Sequence, residues 1–221
     1  LIRENGLANH LSQGDRRPFS ERVIQYRNFI FPFKVAPGES VSIYIRSQAE
    51  ETLFYGFHLW NARSLATSAH QELLFFGFIY GLIMVMFLYN LVIYFSLRDQ
   101  SHLYYVIYVL IAGVFLASFR GLAFQYLWPD SPDWHNRTSA VFSTLFQLSL
   151  LGFARAYLQT KLRTPKMDIV LKGCIGLCVG VVLLSLVDTP GLGLQLSTHC
   201  VGIVSFVMFG LAIYLCTQKI T

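Results

Sequence analysis

Charge is scarce in this chain. Of 221 residues, 17 are Lys or Arg and 12 are Asp or Glu, 13% in all, against roughly 25% in an ordinary soluble domain. Apolar residues make up 54% and aromatics 15%. So little charge beside so much aromatic mass excludes collagen-like, disordered and coiled-coil chains and argues against a single water-soluble globule. Cysteine is absent before Cys174. Cys174, Cys178, Cys200 and Cys216 all lie in apolar runs, so no disulfide framework braces the polar part. Enzyme signatures are lacking as well: there is no phosphate-cradling glycine loop, no H-E-x-x-H and no G-x-S-x-G.

The charge that is present is unevenly spread. Residues 1–72 carry 8 basic and 7 acidic side chains, and residues 73–221 carry 9 and 5. The polar third is therefore almost neutral. A nucleic-acid partner would need a clustered basic face on a soluble surface, so none is expected.

Alternation dominates the polar third. Phe29, Phe31, Phe33 and Val35 alternate with Ile30, Pro32 and Lys34, and Ala36-Pro37-Gly38-Glu39 then marks a turn. Val41, Ile43 and Ile45 alternate with Ser42, Tyr44 and Arg46. A third run sets Leu53, Tyr55, Phe57 and Leu59 against Phe54, Gly56, His58 and Trp60. Period-two patterning with turn punctuation predicts antiparallel strands with one buried face, as in part of a jelly-roll-like β-sandwich. Pro32 cannot donate to a ladder, so its strand is an edge or is bulged. Three strands are too few for a sandwich, and the missing partners are expected before Leu1.

Leu73 to Leu97 holds no charge. At about 1.5 Å per residue, such a run exceeds the roughly 30 Å hydrocarbon core of a bilayer. Further apolar runs cover about 103–123, 139–159, 169–187 and 197–217. Five membrane-spanning helices are predicted, with a division at 68/69 between a β-rich domain (1–68) and a helical region (69–221). Arg120, Arg155 and Lys172 stand near span ends, where long basic side chains snorkel to headgroups. Loops 98–102 and 160–168 hold Arg98, Lys161, Arg163 and Lys166, while the alternate loops hold only Arg137. The positive-inside rule makes 98–102 and 160–168 cytoplasmic and residues 1–72 external.

These parts occur in a recognisable order. Arg27-Asn28-Phe29-Ile30-Phe31-Pro32, Pro37-Gly38-Glu39-Ser40 and Ile43-Tyr44-Ile45-Arg46-Ser47 lead into a span with Tyr80-Gly81 and Leu88-Tyr89-Asn90-Leu91. Leu97-Arg98-Asp99 and Leu103-Tyr104-Tyr105 follow, and the second span runs into Gly121-Leu122-Ala123-Phe124-Gln125-Tyr126-Leu127-Trp128-Pro129. The pattern resembles the bacterial seven-transmembrane receptors with diverse intracellular signalling modules. The resemblance implies an extracellular β-sandwich similar to carbohydrate-binding modules. It further implies seven spans, of which five are here, and a cytoplasmic histidine kinase or diguanylate cyclase beyond Thr221. The expected site is the bacterial inner membrane, and the expected role is two-component or cyclic-di-GMP signalling. The chain itself is read as a non-enzymatic piece of a longer protein.

The candidate ligand residues are Tyr44, Arg46, His58 and Trp60, together with Phe54. Aromatic rings would meet apolar sugar faces and polar groups would meet hydroxyls; the alternative is packing against further strands or the membrane surface. Arg120 either pairs with Asp130, Asp133 or a ligand acid, or snorkels. Asn90, deep in an uncharged span, needs a hydrogen-bond partner, which a neighbouring helix can supply. Gly77 with Gly81, and Gly176 with Gly180, are small-xxx-small pairs that suit close helix approach, inside one bundle or in a homodimer. Cys174 and Cys178 share a helix face, but a metal would need further ligands and His199 is a poor one; no metal or cofactor is expected. The expected partners are the lipid bilayer and a carbohydrate or other small molecule. A transporter or an accessory subunit of a membrane complex is the alternative function, weakened by the shortage of ionisable groups within the spans.

Overall fold

The computed structural model describes residues 2–3, 11–48, 56–187 and 190–217. Among them, five helices are long and apolar enough to cross a membrane. They are α1 (Ala62–Leu97), α2 (Gln100–Phe119), α4 (Pro132–Tyr157), α6 (Pro165–Val187) and α7 (Pro190–Thr217). Two short helices interrupt the series, α3 (Leu122–Tyr126) and α5 (Thr160–Arg163).

The helices overrun the predicted spans at their N-termini because caps, not hydropathy, start them. The Asn61 side chain accepts from Ser64 N at 2.7 Å, which starts α1 eleven residues ahead of the uncharged run and carries it through the 68/69 division. Asp99 caps α2 in the same way, accepting from Ser101 N at 3.0 Å. Pro132 opens α4, where its missing N–H costs nothing. The second span was expected to reach 123. Instead α2 stops at Phe119, and Gly121, with φ of 74°, turns the chain into α3.

Short connections set successive long helices side by side. α4 is central and packs against α2, α6 and α7, while α1 packs on α2. The reason lies in composition. α4 is the least apolar of the five long helices. It buries Thr138, Thr144, Gln147 and Ser149. Thr144 Oγ1 donates to Ala140 O at 2.9 Å and Ser149 Oγ to Phe146 O at 2.8 Å. Polar groups facing hydrocarbon are costly, so the most polar helix takes the protein-lined position. Its apolar contacts are ring on ring towards α2, with Tyr108 5.2 Å from Phe146 and Phe115 5.6 Å from Phe146. Towards α6 and α7, Leu151, Leu171, Cys178, Cys200, Val204 and Leu211 form the core.

The expected strands are present only in part among the described residues. β1 (Ile2–Arg3) pairs antiparallel with β2 (Val41–Ser42), in register Ile2 with Ser42 and Arg3 with Val41, and no further ladder forms among the described residues. A β-sandwich is not shown by these residues. Phe29, Phe31, Phe33 and Val35 alternate as predicted but remain exposed, without a facing layer. Alternation licenses a strand, but only a neighbouring strand and a facing layer make one stable. Leu53, Phe54 and Tyr55, to which the pattern gave roles, lie outside the described residues.

The small-xxx-small expectation also changes. A Cβ at Gly77, Gly81, Gly176 or Gly180 would meet nothing within 4 Å, so none of them permits a close helix approach within this chain. That part is played by glycines outside the motif. A Cβ at Gly152 would lie 3.2 Å from the Tyr104 ring, and one at Gly193 would lie 3.0 Å from Ser185 Oγ and 3.3 Å from its Cα. Gly193→Val should therefore destabilise by about 1–3 kcal/mol through overpacking. Gly77→Ala and Gly176→Ala should be neutral or stabilising by up to ~1 kcal/mol, from helix propensity. Thermal unfolding in detergent distinguishes the two groups.

Candidate functional site at the helix ends

Polar groups at the two ends of the bundle are held in different ways. At the end where α1 and α4 begin, residues 18–30 are clamped down. Phe19, in a single 3-10 turn (Phe19–Glu21), donates its N–H to Pro129 O at 2.8 Å. Its buried ring meets Phe124 of α3 edge-on at 5.6 Å, and Phe124 stacks on His135 of α4 at 4.1 Å. The Arg22 guanidinium sits 4.6 Å from the Phe19 ring centre and 4.5 Å from that of Phe29. Its Nη1 donates to Tyr26 O and Arg27 O, both at 2.8 Å, closing the segment into a loop.

The loop grips α1 through one carboxylate. Arg27 Nη2 lies 2.8 Å from Glu72 Oε2, and Tyr26 Oη donates to the same oxygen. Burial raises the Tyr26 phenol above its ordinary value, and the bond to Glu72 adds to this, so Tyr26 stays a donor at neutral pH. Arg27 also lies over the Phe76 ring at 5.0 Å. Its backbone runs past Gly121, where a Cβ would lie 3.7 Å from Arg27 Cβ. One short segment thus touches α1 and, far along the sequence from it, α3 with the α3–α4 link.

At the opposite end, Asp168 of α6 is buried. It accepts from Arg155 Nε at 2.8 Å, Arg155 Nη2 at 3.4 Å and Thr160 Oγ1 at 2.9 Å, and Lys172 Nζ lies 2.9 Å away. Arg155 and Lys172 were expected to snorkel; both instead turn to Asp168, tying α4, α5 and α6 together. Where α1 ends and α2 begins, His102 Nδ1 of α2 lies 3.2 Å from Asn90 Oδ1, and Asn90 Nδ2 donates to Met86 O at 2.9 Å. Within the core, Cys178 Sγ faces Cys200 Sγ at 3.4 Å across α6 and α7, so Cys178 turns to the next helix.

The sequence-derived ligand residues do not converge on one enclosed pocket. Tyr44 is 73% exposed. Arg46 lines a shallow, open depression with Ile45, Ser47 and Phe57. The rings of His58 and Trp60 are tilted and 6.1 Å apart, and Trp60 borders a separate depression with Arg63 and Gln71. Arg120 forms no ion pair with Asp130 or Asp133 among the described residues; it lies over Phe76 at 5.7 Å. Sequence reasoning passed over Glu72, Tyr26 and Arg22. For Glu72 a signal existed: it is the last charge before 25 uncharged residues, and an acid at that boundary needs a partner.

Five long apolar helices with a polar segment locked across the ends of two of them define a multi-pass membrane protein with a domain outside the bilayer. Residues 72–220 match the family 7TM diverse intracellular signalling, and residues 1–61 match the 7TMR-DISM extracellular 2 family. The chain belongs to the 7TM diverse intracellular signalling family, membrane receptors with extracellular and intracellular signalling domains. No curated protein and no solved structure matches it.

Proposed function

We propose that this chain is the sensing and membrane-coupling part of a bacterial inner-membrane receptor. The extracytoplasmic domain binds a carbohydrate or other small molecule. The bundle then passes the signal to a cytoplasmic histidine kinase or diguanylate cyclase. The observation that supports this reading best is the clamp of residues 18–30 onto Glu72, Phe124 and Pro129. A ligand acts on such a device only through unequal affinity for two arrangements of the clamp. Loops 98–102 and 160–168 face the cytoplasm in this reading, so the Asp168 cluster lies where an output domain would receive the shift.

The test is a tether in the full-length receptor. With Cys216→Ser as background, Arg27→Cys and Glu72→Cys are joined by a short thiol crosslinker, and the output activity is followed. Expected is an output locked at one level whatever the stimulus. An output that responds normally while tethered would sink the coupling role. Topology is checked separately in right-side-out vesicles. A membrane-impermeant maleimide should label Asp130→Cys and leave Lys161→Cys unlabelled, and the reverse pattern would place the sensor inside.

A further inference from the structure

Phe76 carries two cations and one nearby anion. Glu72, Phe76 and Tyr80 stand at i, i+4 and i+8, on one face of α1. Arg27 and Arg120 lie over the Phe76 ring at 5.0 and 5.7 Å. Glu72 is committed to Arg27 and Tyr26. Arg120, at the C-terminal end of α2, finds no carboxylate within 4 Å among the described residues, and its side chain is exposed. One turn on from Phe76, on the same face of α1, the Tyr80 hydroxyl is buried without a hydrogen-bond partner. A buried hydroxyl left unsatisfied costs about 1–3 kcal/mol, and an exposed guanidinium presents a fork of donors suited to tetrahedral oxyanions.

We infer that Arg120, with Arg27 and the Tyr80 hydroxyl, forms an anion site at the outer end of α1 and α2 that takes a phosphate group. The chemistry is shared by a lipid headgroup phosphodiester and by a soluble phosphate. The bound anion would place its oxygens on the free Arg120 fork and accept from Tyr80. It would also compete with Glu72 for Arg27, so occupancy and clamp closure oppose each other. This deepens the receptor reading, and only its signalling consequence rests on that reading.

Binding is tested without any signalling readout, so failure of the site and failure of the receptor reading are separable. The receptor is purified in a maltoside detergent, which carries no phosphate, and its unfolding midpoint is followed. Inorganic phosphate is titrated in one arm and phosphatidylglycerol in the other, at constant ionic strength. Expected is a saturable rise in midpoint, weakened about tenfold or more in affinity by Arg120→Gln. Arg120→Lys should retain part of the affinity, and the exposed Arg17→Gln all of it. A response to both anions assigns a soluble phosphate site, and a response to the lipid alone assigns a headgroup site. The inference is overturned if neither anion shifts the midpoint, or if Arg120→Gln and Arg120→Lys both respond like the unaltered protein.

Discussion

Asp168→Ala should be the most damaging single change in the bundle, lowering stability by about 3–5 kcal/mol. The side chain of Asp168 is 4% exposed and that of Arg155 is 27% exposed. Removing the carboxylate strands a mostly buried guanidinium and the Thr160 hydroxyl together. The two cations are not equivalent. Lys172 is 56% exposed, so Lys172→Ala should cost only ~0–1 kcal/mol. Asp168→Leu combined with Arg155→Met should recover much of the loss, because an apolar pair replaces a desolvated ionic one. Thermal unfolding of the three variants and the unaltered protein in one detergent checks the order. A Lys172→Ala loss as large as that of Asp168→Ala would show that Arg155 does not dominate.

Glu72→Gln should release residues 18–30 from the bundle. The change removes the charge that holds Arg27 and replaces the acceptor of Tyr26 with an amide. Arg27 has only 12% of its side chain exposed and Glu72 37%, so solvent screens the pair in part. A loss of about 1–2 kcal/mol is expected, the screened lower end of the ~1.5–3 kcal/mol of a hydrogen bond to a charged group, and about 1.4 kcal/mol corresponds to about tenfold in the docking equilibrium. Trypsin should then cut after Arg22 and Arg27 about tenfold faster in Glu72→Gln, with cleavage after exposed Arg17 unchanged. Equal rates at all three positions would show that the Phe19–Phe124 contact holds the segment without the ion pair.

The bundle was readable because its controlling requirement is local. Leu73–Leu97 announces a span by having no charge over 25 residues, whatever it packs against. The start of α1 was not placed, although its cap was visible: Asn61 precedes Ala62, but an apolar window does not score a capping side chain. The strands failed for the opposite reason. Phe29, Phe31 and Phe33 alternate, yet a ladder needs a neighbour, and alternation does not supply one. Gly77 and Gly81 illustrate a third limit. Spacing says which glycines share a helix face, whereas only the approach of a second helix decides which of them it needs. Here those are Gly152 and Gly193.

By itself, then, the sequence determined that five runs are long and apolar enough to cross a membrane and that a polar segment stands ahead of the first. The thickness of the hydrocarbon core turns composition directly into span count. Tertiary structure alone decided that α4 is the central helix, that Asp168 gathers Arg155, Thr160 and Lys172, and that Glu72 holds Arg27. Among these ties, Glu72 to Arg27 crosses 45 positions of sequence and Asp168 to Arg155 joins two different helices. A charge leaving water must find its counter-charge wherever folding brings one, and the identity of that partner is settled by backbone approach.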